Sequence, residues 1–292
     1  GQSLALLRPS ALEFGEHLTL FRVNRNELNL SSESACKDTI FKIKPDWVIN
    51  CGAFTAVDKA ESDKELAYKV NGFGPYYLST YLNKIGGKLL HISSDFVFDG
   101  KNNKPYNVND LVNPINVYGE SKALGEKLIL EEKYLDNVFI LRTSWLISNL
   151  GNNFFTKMLK LLAKKNSINV VNDQIGCITS ASNLSKVCWQ LIKLHNNGQK
   201  IPKIMHFSDS GICTWFDVAK TISEYASKKN LIANNLTINP VDSDFLNLKA
   251  KRPIFSLLNS QETYDLVAFT PSHWRKSTVS YTHLRAHETT DN

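Results

Sequence analysis

Residues 88–100 read KLLHISSDFVFDG. The segment begins as a buried strand and ends with Ser93, Ser94 and Asp95 at its carboxyl tip. Two further segments have the same form: one strand closing at Ile49 runs into NCGAFTAVDKAES, with small Cys51, Gly52 and Ala53 at the turn, and another closing at Leu141 runs into RTSW. In a parallel sheet covered on both faces, ligands bind at the carboxyl ends of the strands, where small residues let backbone approach a cofactor. Three such tips in one half of a sheet would line one crevice.

Outward from these strands, apolar segments alternate with amphipathic ones, the pattern of a doubly wound α/β fold. Strands are expected over residues 17–23, 45–50, 88–93, 137–145 and 203–208, and helices over 62–85 and 118–132, the second with Leu124 and Leu128 on one face. After Trp145 the alternation loosens. Residues 152–165 and 215–228 read as helices and 239–253 as loop, so a smaller substrate lobe is expected over 146–279, interleaved in part with a dinucleotide-binding, Rossmann-like domain over 1–145.

Composition narrows the function. The chain has 292 residues, 42% hydrophobic and 21% charged, enough for a substantial core. It has no apolar run long enough to span a bilayer and no secretory leader pattern, so the expected place is the cytoplasm. Five scattered cysteines without a C-x-x-C pair read as reduced thiols, mostly buried, and give no zinc site. The net charge of +6 is spread in short pairs, which argues against nucleic acid and suits an anionic small molecule.

Tyr118 and Lys122, in VYGESKALGE, stand at i and i+4 on one helix face. The spacing alone says little in a chain with 10 tyrosines, and Tyr225 and Lys229 repeat it. Only Tyr118 is preceded by a serine-bearing strand tip, at Ser94, and by an Asn113-Pro114 loop that can deliver it to a helix start. The Tyr225 pair reads as an exposed helix end.

Together the runs INCGAFTAVDKAES, HISSDFVFDG, VYGESKALGE, RTSW, NDQIGCITSASNL and KRP, spread from Asn29 to Trp274, resemble the dTDP-4-dehydrorhamnose reductase family of the extended short-chain dehydrogenase/reductase superfamily. The resemblance implies reduction of the 4-keto group of a nucleotide-sugar by NADPH or NADH, with Tyr118 as proton donor, Lys122 as its partner and Ser94 holding the substrate carbonyl. It places Asp95 and Trp145 at nucleotide-sugar contacts, and Asn29, Leu30, Ala53, Phe54, Thr55 and Ile92 at cofactor contacts. Leu30, Phe54 and Ile92 read equally as core, and Trp145 as packing between lobes. A hydride reaching a ketone carbon builds negative charge on oxygen, which calls for a proton and hydrogen bonds. An ammonium beside the tyrosine is expected to lower its pKa from the ordinary value near 10.

Against the family pattern, Gly1 falls inside or just after the glycine-rich phosphate loop, so the sheet is expected to lack its first strand, to fold poorly and to hold the cofactor weakly. Residues 280–292 read as a non-native tail, and His283 and His287 within it as no metal pair. The strand over 17–23 ends at Asn24-Arg25, where an acidic residue would repel a 2′-phosphate; this pair tolerates NADPH. Two alternatives stay open. A regulatory subunit of the methionine adenosyltransferase type shares the resemblance, and a nucleotide-sugar epimerase or dehydratase shares Tyr and Lys, although Ser94 here is followed by Asp95-Phe96 and not by a dehydratase's acidic pair. The sequence leaves open Mg²⁺ dependence and a homodimer.

Overall fold

The computed structural model describes residues 1–10, 14, 18–131, 135–229 and 236–281. Its central sheet is parallel, in the order β1 (Trp47–Asn50), β2 (Lys88–Ser94), β3 (Val138–Thr143) and a later strand, Ile204–Phe207. Register brings the polar tips level: Asn50 lies opposite His91, Ser93 opposite Arg142, and Ser94 opposite Thr143. All six residues of β3 are buried, as expected of a strand covered on both faces.

Helices α1 (Gln2–Leu6), α2 (Glu33–Ile43), α3 (Gly74–Asn83) and α4 (Val117–Glu131) belong to the first half of the chain. One sheet face packs Leu78 and Leu82 of α3, Ile40 of α2 and Ile129 of α4 against Leu89 and Ile140. The other face packs Leu90, Phe139 and Leu141 against Val187 and Leu191 of a later helix, Ala181–Asn196, and Leu4 of α1. Although they lie within residues 146–279, that helix packs on the central sheet and the strand Ile204–Phe207 pairs with β3. The second lobe has its own core, with Phe155, Ile178, Val218 and Ile222 at its centre.

Three expectations change. Residues 18–23 form no strand and pair with none: Leu18 and Leu20 pack inward while Phe21 and Val23 stay exposed. Alternation records which side is buried, and a ladder also needs a neighbouring strand. His17 lies outside the described residues, as do residues 282–292 of the expected tail. The helix expected over 62–85 runs without interruption from Lys64 to Asn83, but it is not uniformly α-helical: a π-helical turn at Tyr68–Phe73 lies between Lys64–Ala67 and α3. Residues 239–253 are not all loop. Along the chain β4 (Ser167–Val171), β5 (Ile204–Phe207) and β6 (Thr237–Val241) follow β3, and β6 runs parallel to β4 as an edge strand that accommodates Pro240.

Helix α4 is set unusually close to its neighbours. Asn116 accepts the Gly119 N–H at 2.8 Å, and Glu61 accepts the Val117 N–H at 2.9 Å, so the first turn is capped. A Cβ at Gly119 would lie 2.2 Å from the Phe96 carbonyl oxygen, and one at Gly125 would lie 2.3 Å from that of Asn71. Both obstacles are backbone. Gly125→Ala should therefore destabilise the protein by ~1–3 kcal/mol, the range for overpacking a tight contact, read from urea unfolding. An unchanged midpoint would show that α4 can slide outward freely.

Candidate active site

At the carboxyl ends of β1, β2 and β3 lies a cleft of about 320 Å³, lined by Ser94, Asp95, Tyr118, Lys122 and Trp145 among others. The strands present Ser94 and Asp95 because β2 ends there in a 3-10 turn over Asp95–Val97, whose Phe96 N–H the Ser94 hydroxyl accepts at 3.2 Å. Ser94 Oγ donates to Asp95 Oδ1 at 3.0 Å and acts on the Tyr118 phenol, favouring its ionised form. Helix α4 supplies Tyr118 and Lys122 from one face, and the Tyr118 ring stands edge-on to Phe96, with centroids 5.6 Å apart.

Burial governs the charges here. Tyr118 is pushed up to about 12, first by burial and then by the Asp95 carboxylate, with only the Ser94 hydroxyl pulling it down. Lys122, 1% exposed, is brought down to about 8 by burial, with Glu126 and Cys51 opposing. The expected lowering of the Tyr118 phenol by Lys122 is therefore corrected: the phenol is raised, and Lys122 Nζ instead donates to the Ile92 carbonyl at 2.7 Å and lies 3.1 Å from His91 Nε2. Asp95 is raised to about 6 by burial, against hydrogen bonds from Ser256 and Ser94. Its Oδ2 has no hydrogen-bond partner among the described residues, and neither has Ser93 Oγ. Unsatisfied buried oxygens in a cleft wall are the places where a polar ligand repays its desolvation.

Trp145 closes the far side. Its backbone sits at φ 44°, the left-handed region, and its indole stacks on Trp215 at 3.9 Å with 8° between the planes. A Cβ at Gly176 would lie 2.7 Å from that indole, so the ring is held between a stacked partner and a bare backbone.

Of the expected cofactor residues, Gly1, Ala53, Thr55 and Ile92 line the cleft with Tyr118 and Lys122. Phe54 is clipped by its backbone: Asn71 Oδ1 accepts its N–H at 2.7 Å, and Asn71 Nδ2 donates to its carbonyl at 3.0 Å and to Ser121 Oγ at 2.9 Å. Its ring packs near Val117. Leu30 packs with the α2–α3 core, and Asn29 folds onto Ser31. Asn24 and Arg25 are exposed in a turn, where Asn24 Oδ1 accepts the Asn26 N–H at 2.8 Å, and neither lines the cleft. Tyr225 and Lys229 lie away from it too, with Lys228 over the Tyr225 ring.

Sequence reasoning missed Asn50, Asn71 and His91. The signal for His91 was available, because a polar residue amid the apolar run KLLHI must be buried with partners. Cys51 is the exposed cysteine; Cys36, Cys177, Cys188 and Cys213 are buried and unpaired. Among the described residues no group of His, Cys, Asp and Glu is placed to hold a metal ion, and no helix is long and apolar enough to cross a membrane.

Comparison with known proteins agrees with this architecture. Residues 7–285 match the family model described as the RmlD substrate binding domain. The chain is 35% identical to the spore coat polysaccharide biosynthesis protein SpsK of Bacillus subtilis, over 90% of this chain and 88% of that one. It is 33% identical to dTDP-4-dehydrorhamnose reductase of Escherichia coli K12, over 85% and 82% respectively. Among solved structures, dTDP-4-dehydrorhamnose reductase from Bacillus anthracis in complex with NADP superposes with a TM-score of 0.84 at 30% identity, covering 96% of this chain and 94% of that one.

The lowered Lys122 has a consequence for stability. Between pH about 8 and 10.5 the unfolded lysine keeps its proton while the folded one has lost it, so stability rises with pH across that window. Below about 8 the penalty of burying the charge is carried in full. The difference in melting temperature between the native protein and Lys122→Met should therefore move in favour of the native protein as pH rises from about 8 towards 10. A difference independent of pH would mean that the folded Lys122 keeps its ordinary pKa, as a solvated lysine does.

Proposed function

This chain belongs to the RmlD substrate binding domain family, and from that premise we propose that it reduces the 4-keto group of dTDP-4-dehydro-L-rhamnose to dTDP-L-rhamnose with NADPH, as a cytoplasmic step of nucleotide-sugar biosynthesis. The observation that carries the reading is the convergence of Ser94, Tyr118 and Lys122 on one cleft at the strand ends. The residues present suit a nicotinamide coenzyme: small Ala53 and Thr55 after β1, Ile92 on β2, and a lysine and a tyrosine one helical turn apart would hold it. When bound, that coenzyme supplies the hydride.

Everything else falls to the chain's own groups. Tyr118, raised to about 12, holds its proton at neutral pH, which is the state a reduction needs, and passes it to the carbonyl oxygen as charge develops there. Ser94 Oγ turns its hydrogen from Asp95 Oδ1 to that same oxygen. Asp95, freed of that bond and with Oδ2 open, accepts from a sugar hydroxyl, and Trp145 offers its indole face to the nucleotide-sugar.

The test is coenzyme oxidation by the purified protein with dTDP-4-dehydro-L-rhamnose. Turnover is expected, with NADPH serving at least as well as NADH. Tyr118→Phe should lose at least ~10²-fold, within the range for general acid–base catalysis, while Tyr225→Phe stays near the native rate. Nucleotide-sugar binding without any coenzyme oxidation would instead assign a regulatory binding role, and equal losses in the two tyrosine variants would remove Tyr118 from the chemistry.

A further inference from the structure

One stretch of chain, residues 250–256, runs behind the cleft and is fastened to the loops that line it. Asp58, just beyond Thr55 of the cofactor turn, accepts from Arg252 Nη2 at 2.6 Å, from Arg252 Nη1 at 3.3 Å and from the Ala250 N–H at 3.1 Å. Asn116, at the start of α4, donates to the Lys251 carbonyl at 2.7 Å while its oxygen accepts the Gly119 N–H. Beyond the tip of β2 the approach is closer still. A Cβ at Gly100 would lie 2.6 Å from Pro253 Cα, and the Gly100 carbonyl accepts the Phe255 N–H at 3.3 Å.

The far end of this stretch joins the second lobe and meets the other wall of the cleft. The Ile175 N–H donates to the Ile254 carbonyl at 2.6 Å, and the Ser256 N–H donates to the Ile175 carbonyl at 2.8 Å. Next to Ile175 stands Gly176, the bare backbone that receives the Trp145 indole. Ser256, 1% exposed, acts on the Asp95 carboxylate and favours its ionised form. Phe255 packs both with Val97 and Phe98, just past Asp95, and with the second lobe's core.

We propose that Arg252 is a positioning residue for the nucleotide-sugar side of the cleft: its clasp on Asp58 fastens a strap, residues 250–256, whose far end sets where Asp95 and Trp145 stand. The effect is one-sided because of what else holds each wall. The cofactor turn has its own ties, from Asn50 Oδ1 to the Gly52 N–H at 3.0 Å and from Asn71 to both backbone groups of Phe54, and α4 is anchored by Glu126 to Arg142. Asp95 Oδ2 has no hydrogen-bond partner among the described residues, and the Trp145 indole rests on Gly176 and Trp215. The contact at Gly100 is backbone against backbone, so it resists approach more than withdrawal. Releasing the clasp therefore moves the walls that meet the sugar and spares those that meet the coenzyme. The Arg252 side chain is 18% exposed, and its fork on the carboxylate is a directional contact that a lysine's point charge reproduces only in part.

The kinetic half of this inference rests on the proposed reduction; the structural half needs no turnover. In Arg252→Gln, and in Asp58→Ala, which removes the acceptor of both Arg252 and Ala250, amide hydrogen exchange at Ile175 and Ser256 should quicken by at least ~10-fold, with exchange at Gly52 and Phe54 unchanged. In coenzyme oxidation the KM for dTDP-4-dehydro-L-rhamnose should rise at least ~10-fold in both variants, with kcat within ~3-fold of native and the NADPH dissociation constant unmoved. The double variant should be no worse than Asp58→Ala alone, because the two residues act through one contact, and Arg252→Lys should fall between native and Arg252→Gln. Should Asp58→Ala fail to fold, Arg252→Gln and Arg252→Lys give the same readings. Unmoved exchange at Ile175 and Ser256, losses that add in the double variant, or KM and the NADPH dissociation constant rising together would overturn the inference. If the native protein reduces no sugar, the proposed reduction fails by itself and the exchange rates decide whether the clasp holds the strap.

Discussion

The cleft depends on the buried ion pair between Arg142 on β3 and Glu126 on α4. Arg142 is 2% exposed and donates to Glu126 through Nε at 3.0 Å and Nη2 at 2.6 Å. Its remaining capacity is used as well: Nη1 donates to the Val108 carbonyl at 3.1 Å and lies 3.3 Å from His206 Nε2, and the guanidinium covers the Phe98 ring. A buried charge is tolerable only when paired and hydrogen-bonded in this way. His206 absorbs part of the cost by staying neutral, pushed down to about 3 by burial and by Arg142. Tyr118, Lys122 and Glu126 are spaced four apart, so anchoring Glu126 to the sheet fixes the rotation of the helix face that carries the other two. Glycines at 119 and 125 then let the helix settle against backbone, and Asn71 ties the turn at Phe54 to Ser121 on that helix.

With the framework fixed, desolvation sets the chemistry. Tyr118, Lys122 and Asp95 are each displaced towards their neutral forms, and burial is the largest cause for all three. The first consequence is that the Tyr118 phenol holds its proton at neutral pH, the state the proposed reduction needs. The second concerns ligands. A polar group that enters beside Asp95 or Lys122 and hydrogen-bonds to its charged form offsets part of the desolvation that displaces it.

Much of this was legible in the sequence, for reasons that differ by residue. The strand tip at Ser94 and the i,i+4 pair on α4 are local patterns, and a parallel sheet brings strand ends together whatever the loops do, so their meeting could be anticipated. The failures are tertiary. The alternation of residues 18–23 records one buried side but not the absence of a ladder partner, and β6 hides behind Pro240 because an edge strand tolerates what a central one does not. The direction of Lys122 could not be read from its spacing to Tyr118, because it is set by His91 and the Ile92 carbonyl on a strand that precedes it in sequence. Trp145, open to two readings, takes part in both, lining the cleft and packing in the second lobe's core.

That double part shows how the two lobes are joined. Trp145 follows Arg142 by one short step of chain: Arg142 anchors α4 from β3, and Trp145 leaves the strand in a left-handed conformation that costs a non-glycine residue about 1–2 kcal/mol. The conformation persists because the second lobe over-determines it, with Trp215 stacked on one indole face and Gly176 admitting the ring edge. Stacked aromatic pairs contribute about 0.5–1.5 kcal/mol beyond their buried area, enough to offset much of the strain. One strand end thus carries two constraints of opposite character. The ion pair holds Tyr118 and Lys122 to a rigid sheet, while the indole wall is held by the second lobe's packing, so a change in that packing would alter the shape of the cleft before it alters the placement of Tyr118.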